Sequence, residues 1–282
     1  MGQNHTKMFE ARQLTSSGGV SHQLATQIHA TLGATTADAP TDGSALPALW
    51  HWMAFPPTAP MSDLAADGHP KLGAFLPDLG LSRRMWAGGA LTFEAPLHVG
   101  DALTKTSTIR SVTEKQGQNG PMNFVIVDHE ISGSDGVCIR ERQDIVYLDI
   151  PDTYTPPRKV PVPENATAQR DMPVPPTLLF RYSALTFNAH RIHYDLQYTR
   201  DIEHYPGLVV HGPLQATLAM QMAVEIGGRT PDRFEYRGIH PLFAGTDLTI
   251  FGTRQTKGQV DVAIGAAEGH QTLQGKAFWE ET

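Results

Sequence analysis

Two stretches of the chain carry the same succession of apolar and polar positions. Residues 104–112 (TKTSTIRSV), 123–131 (NFVIVDHEI) and 137–149 (VCIRERQDIVYLD) are alternating, β-branched runs parted by Gly, Asn and Asp clusters. Residues 248–256 (LTIFGTRQT), 259–267 (QVDVAIGAA) and 271–280 (QTLQGKAFWE) follow the same plan. Runs of this kind, bounded by turn residues, predict antiparallel strands. A common phrase leads into each set: Pro96–Thr104 reads PLHVGDALT and Pro241–Thr249 reads PLFAGTDLT, with Pro, Leu, Gly, Leu and Thr matching at one constant offset. A shared lead-in followed by three matching strands indicates an internal duplication.

The helices are less evenly shared. Leu214–Ile226 is apolar with few breaks, opens behind Pro213 and stops at Gly227 and Gly228. Proline suits a first turn, and apolar residues on every side predict a buried helix. In the first half, Val20–Leu32 reads as an amphipathic helix. Leu46–Phe55 (LPALWHWMAF) is apolar but runs into Pro56-Pro57. Nothing between Thr58 and Ala90 matches Leu214–Ile226, so the first half is expected to have lost its central helix. Pro151–Pro176 contains eight prolines, a density that excludes a helix or an inner strand and predicts a semi-rigid surface crossover. The expected plan is α+β: a degenerate half over 1–150, the crossover over 151–176 and an intact half over 177–282.

Composition narrows the function by exclusion. The chain has 282 residues, 40% hydrophobic and 18% charged, enough to build a core. A formal charge of −7 without basic clusters argues against nucleic acid. No apolar run approaches the roughly 20 residues that span a bilayer. The single Cys138 rules out an intrachain disulfide and suits a reducing compartment. The amino-terminal stretch lacks the apolar core of a secretory signal. A cytoplasmic location is expected, with the mitochondrial matrix as the alternative because that stretch carries Ser and Thr and few acids.

Candidate chemistry is concentrated in Thr186–Leu214, where Asn188, His190, His193, Tyr194 and Asp195 precede His211-Gly212-Pro213 at the start of the apolar helix. A helix start presents unpaired N–H groups and partial positive charge. Pro213 has no N–H, so the Gly212 amide is the expected donor to an oxyanion, such as the enolate formed when a nucleophile adds to an unsaturated thioester. One such donor is worth about 3 kcal/mol in a transition state. His193 is the expected base for water, because imidazole titrates near neutrality. Asn188 can orient that water or serve a turn, but a carboxamide is no base. Asp195 reads as a cap or as a partner for Arg191. Zinc ligation by His190 and His193 with His204 or His211 lacks a persuasive spacing and any accompanying cysteine, so no metal is expected. Arg83 or Arg84 suits a carboxylate or a coenzyme A phosphate, with the choice between them open. Trp50 and Trp52 read as core.

The segment Asn188–Asp195 followed by His211-Gly212 resembles the Asp-x-Asn-Pro-Ile/Leu-His-x-Asp…His-Gly signature of the MaoC-like, hot-dog-fold (R)-specific enoyl-CoA hydratases. The resemblance gives His193 the histidine role and Gly212 the oxyanion role. Asn188 stands where the signature has its catalytic Asp, and His190-Arg191 replace Asn-Pro. FNAHRIHYD, with RRMWAGG at Arg83–Gly89 and RQDIVYLD at Arg142–Asp149, is similar to a narrower subgroup. That subgroup comprises itaconyl-CoA and mesaconyl-C4-CoA hydratases and mitochondrial type 2 hydroxyacyl-thioester dehydratases. The resemblance implies a double hot-dog in which two curved antiparallel sheets each wrap a helix. It also implies an acyl-CoA substrate, no cofactor beyond that substrate's coenzyme A, and a homodimer. Arg83, Arg84, Trp86, His190, Arg191 and His211 become candidate substrate-binding residues. Other expectations left open are a dehydratase of fatty-acid synthesis, a thioesterase and a non-catalytic acyl-CoA binder.

Overall fold

The computed structural model describes residues 9–33, 38–117 and 120–280. The first eight residues of the stretch weighed as a transit segment lie outside them. The β-branched runs form long strands as expected. The first half holds β1 (Gln13–Gly18), β2 (Arg83–Phe93), β3 (Leu103–Gly117), β4 (Gly120–Gly133) and β5 (Gly136–Leu148). The second holds β6 (Ala168–Pro173), β7 (Arg233–Gly238), β8 (Asp247–Thr256), β9 (Gln259–Ala266) and β10 (Gln271–Phe278). Within each half the order is equivalent, and β2 pairs antiparallel with β7 to give one sheet, β1-β3-β4-β5-β2-β7-β10-β9-β8-β6. The two expected sheets are therefore fused edge to edge, and ten strands pair continuously.

The proline-rich crossover also differs from expectation, because β6 lies inside it and pairs with β8. Its prolines cluster at the two ends and leave 164–172 free of them. β6 is an edge strand, so Pro173 at its end removes no inner ladder bond.

Each half opens with the same unit, a six-residue edge strand followed by an 11-residue helix: β1 then α1 (His22–Leu32), and β6 then α2 (Pro176–Thr186). Ser21 caps α1 by accepting from the Leu24 N–H, and Gly33 closes it in the left-handed region at φ 58°. A short α3 (Leu196–Asp201) and the central α4 (Gly212–Gly227) follow in the second half. α4 lies across β8, β9 and β10 with Leu214–Met220 fully buried. Gly252 on β8 permits that close approach, since a Cβ there would fall 2.3 Å from Ile226 Cδ1.

Among the described residues between α1 and β2 no α-helix forms, and 3₁₀ turns at Trp50–Met53 and Met61–Asp63 stand instead. Leu46 N donates to Leu97 O at 2.7 Å, just as Val210 N donates to Leu242 O at 2.8 Å. Ala45 bridges His98 as Val209 bridges Phe243. Leu46-Pro47-Ala48 is thus the counterpart of Val210-His211-Gly212, and the single turn at Trp50 is what remains of a central helix. Trp50 is core, as expected, at 1% exposure. Trp52 belongs to a polar belt across the helix-free face: its Nε1 donates to Glu141 Oε1 at 3.0 Å, and His51 Nε2 sits 3.2 Å from Glu141 Oε2.

Candidate active site

The second-half loop turns sharply after α2. Phe187 adopts φ 50°, a left-handed conformation unusual for a bulky residue, and Asn188 N returns to Ser183 O at 2.8 Å. Asn188 Oδ1 then accepts the His190 N–H at 3.0 Å, so this carboxamide shapes the loop and keeps its NH2 for other partners. A 3₁₀ turn at Arg191–His193 delivers His193, 7% exposed, beside the start of α4.

His193 Nδ1 lies 2.7 Å from Val209 O. A carbonyl only accepts, so Nδ1 carries the hydrogen and Nε2 keeps a lone pair for water. The ring stacks on His211 at 3.6 Å between centroids and 19° between planes. His211 Nε2 pairs with Ser183 Oγ at 2.9 Å, while its Nδ1 is buried without a partner among the described residues. Gly212 comes next and is the first residue of α4, so its N–H has no acceptor within the helix. A Cβ at Gly212 would meet the Trp86 carbonyl at 3.6 Å, which places the first-half strand β2 against this corner. Burial, reinforced by the neighbouring His211 and His190, drives the His193 pKa well below its ordinary value. Burial likewise lowers His211 to about 3. Both rings are neutral near pH 7, the state a base requires.

A row of imidazoles continues outward. His190 meets His193 edge-on at 5.4 Å and lies 4.1 Å from His69. His190 Nε2 is 3.8 Å from Glu203 Oε1, whose partner oxygen takes Arg83 Nε at 2.6 Å. Arg83 Nη2 also donates to Glu203 O at 2.7 Å. Burial opposes ionisation of Glu203, but His190 and the Arg83 guanidinium outweigh it and hold the carboxyl below its usual range. Arg83 is thus committed to Glu203. Arg191 is committed too: Asp195 Oδ2 takes its Nε and Nη2 at 3.0 and 2.7 Å while Oδ1 caps α3. Asp195 therefore fills both expected roles. Trp86 donates Nε1 to Gly88 O and meets Trp52 at 5.0 Å.

Asp67, His69 and Glu203 were not anticipated from sequence. The signal for the first two is Asp67-Gly68-His69-Pro70, which pairs histidine with Gly and Pro as at residues 211–213. This first-half hairpin caps the loop that carries His190 and His193. Arg191 N donates to Asp67 O at 2.8 Å, and Gly68, at φ 90°, sits where a Cβ would fall 1.8 Å from Ala189 O. Only glycine fits there. Asp67, His69 and His190 hold ligand-type atoms within 4.8 Å of one another. His69 Nδ1 is already bonded to Asp67 Oδ2 at 2.8 Å, and Lys71 and Arg84 line the same hollow. These two cations oppose binding of another, while Asp67 and Asp78 share the wall with them.

The model of the family described as hydroxyacyl-thioester dehydratase type 2 matches residues 49–244. The chain belongs to that family. It is similar to mesaconyl-C(4)-CoA hydratase of Chloroflexus aurantiacus, 46% identical over 238 residues, covering 83% of this chain and 84% of the relative. It is also similar to the mitochondrial hydroxyacyl-thioester dehydratase type 2 of Schizosaccharomyces pombe, 29% identical over 233 residues, 71% of this chain and 75% of that one. A MaoC-like dehydratase from Phytophthora capsici superposes with a TM-score of 0.72 at 13% identity, over 96% of this chain and 97% of that structure. A Mycobacterium tuberculosis protein described as a double hotdog fold gives 0.60 at 14% identity, over 95% and 96%. These likenesses bear out the expected double hot-dog. As a member of the type 2 dehydratases, the protein is a hydro-lyase of acyl thioesters.

Proposed function

We propose that the protein reversibly hydrates a short, branched enoyl-CoA, with citramalyl-CoA as product. The observation that carries this reading is the stack of His193 on His211, which sets a neutral imidazole lone pair beside the unpaired Gly212 amide at the head of α4. His193 Nε2 takes a proton from water as the oxygen bonds to the β-carbon. The π electrons move to the thioester oxygen, where the Gly212 N–H and the helix dipole receive the enolate charge. The imidazolium then protonates the α-carbon, so water is added without net redox change. The free Asn188 NH2 orients the attacking water. Trp86, His190 and His211 border the reacting groups.

Mesaconyl-C4-CoA fits this sequence directly because its double bond is conjugated with the thioester; itaconyl-CoA is the related candidate. The name of the Chloroflexus relative supports the choice. Mixing the protein with mesaconyl-C4-CoA, itaconyl-CoA and crotonyl-CoA while following enone absorbance tests it; absorbance that holds steady with all three rejects hydration. The second reading, dehydration of 3-hydroxyacyl thioesters in fatty-acid synthesis, draws on the yeast relatives. A role in itaconate breakdown, a cytoplasmic or matrix location and a homodimer complete the proposal. Light scattering in solution checks the last. Among the described residues no helix is long and apolar enough to cross a membrane.

A further inference from the structure

Beside the histidine row lies a hollow of about 450 Å³ whose wall includes Asp67, His69, Lys71, Asp78, Arg83 and Arg84. Its two arginines, adjacent in β2, are in different electrostatic states. Arg83 is 6% exposed and neutralised by Glu203. Arg84 donates Nη2 to the Pro70 carbonyl at 3.1 Å, and no carboxylate among the described residues lies within ion-pair distance of it. Lys71 Nζ donates to the Ser62 carbonyl at 2.7 Å, and no ion pair of Lys71 occurs among the described residues. His69 also lines the wall, with Nδ1 bound to Asp67 and no hydrogen bond to Nε2 among the described residues. Burial lowers the His69 pKa to about 4, and the nearby His190 and Arg84 push the same way. Asp67 and Asp78 share the wall with Lys71 and Arg84, so the hollow carries no excess of positive charge; what sets it apart is Arg84, a guanidinium without a carboxylate partner, next to a ring that an incoming anion would help to protonate.

We propose that this hollow is a carboxylate subsite in which Arg84, seconded by His69, receives the free carboxylate of the acyl group, so that the enzyme prefers dicarboxylic over monocarboxylic enoyl thioesters. The inference rests on the hydratase reading and deepens it. In mesaconyl-C4-CoA the free carboxylate is attached to the same carbon that takes the hydroxyl, so it must lie within a few bonds of the water held by His193. Ring contacts run from His193 through His190 to His69, which puts the wall of the hollow two side chains from the proposed base. A guanidinium matches a carboxylate through two parallel N–H bonds, and partial burial strengthens the pair. A coenzyme A phosphate presents similar oxygens, and the assay separates the two sources because crotonyl-CoA carries the same coenzyme.

The decisive measurement is the ratio of kcat/KM for mesaconyl-C4-CoA to that for crotonyl-CoA in wild type and in Arg84→Met, with circular dichroism and melting to verify folding. Removing a partly buried partner of a charge pair should lower this ratio about 100-fold or more, and Arg84→Lys should recover part of it. An unchanged ratio, including an equal fall with both esters as a phosphate contact would give, overturns the subsite. Calorimetry with free mesaconate supplies an independent arm, with heat in wild type that is lost in Arg84→Met. Should wild type turn over neither ester, the hydratase reading fails by itself and calorimetry decides: Arg84-dependent heat upholds the subsite, and its absence removes it.

Discussion

Val210-His211-Gly212 and Leu46-Pro47-Ala48 leave the sheet by matching hydrogen bonds and then part company. After Gly212 the chain runs on as a 16-residue helix buried under its own sheet. After Ala48 it makes one 3₁₀ turn at Trp50–Met53 and meets Pro56-Pro57. The first half has no histidine at the corner, with Pro47 in the place of His211, and no long helix dipole behind the corner. The segment freed from making a helix folds outward as the Leu64–Pro70 hairpin, which covers the His190–His193 loop of the other half. Duplication supplied two equivalent scaffolds, and loss of one central helix turned one of them into a wall and lid for the other.

If that division of labour is right, substitutions in the two halves should separate stability from turnover. Trp50→Ala, in the helix remnant, should cost about 3–5 kcal/mol in denaturant unfolding, yet leave kcat/KM per folded molecule near wild type; a selective fall in turnover would place the remnant in the site. Gly212→Pro removes the proposed donor while keeping the backbone acceptable, since proline suits a first helical turn and His211 at ψ 132° already has the conformation favoured before proline. It should reduce kcat by about 100- to 1,000-fold with little change in melting temperature. His193→Ala should lower turnover about 100-fold or more, and full activity would take this imidazole out of the mechanism.

The pH profile gives a smaller effect. Because burial holds His193 neutral, kcat/KM should stay level from pH 8 to well below 6.5, and an acid limb near 6.5 would contradict the stacked, buried geometry. Stability should move in the same direction. His69 at about 4 and His211 at about 3 remain neutral when folded, whereas unfolded imidazoles take up protons below about 6.5. The unfolded chain then binds more protons, so stability present above 6.5 is progressively lost as pH falls toward 4. Melting temperatures across that window measure it.

Much of the site was legible because its signals are local. Asn188, His193 and His211-Gly212 fall within one short stretch, and a helix start is marked by Pro213. The outer ring was not. His69 reaches His190, and Arg83 reaches Glu203, only because the sheet brings the two halves together. α2 was missed as well, since its amphipathic pattern is weak and it leans on α1 across the pseudo-symmetric halves. β6 was hidden among prolines whose positions flank it.

Periodicity, turn residues and a repeated phrase in the chain were enough to specify the strands, the duplication, the buried helix and the histidine at its head, for each of these depends on neighbours a few positions away. Tertiary structure alone decided that the two sheets join into one, that Arg83 is spent on Glu203 while Arg84 faces a hollow, and that a first-half hairpin covers the second-half loop carrying His193. Those outcomes depend on desolvation and on charge pairing between residues distant along the chain, which no local pattern encodes.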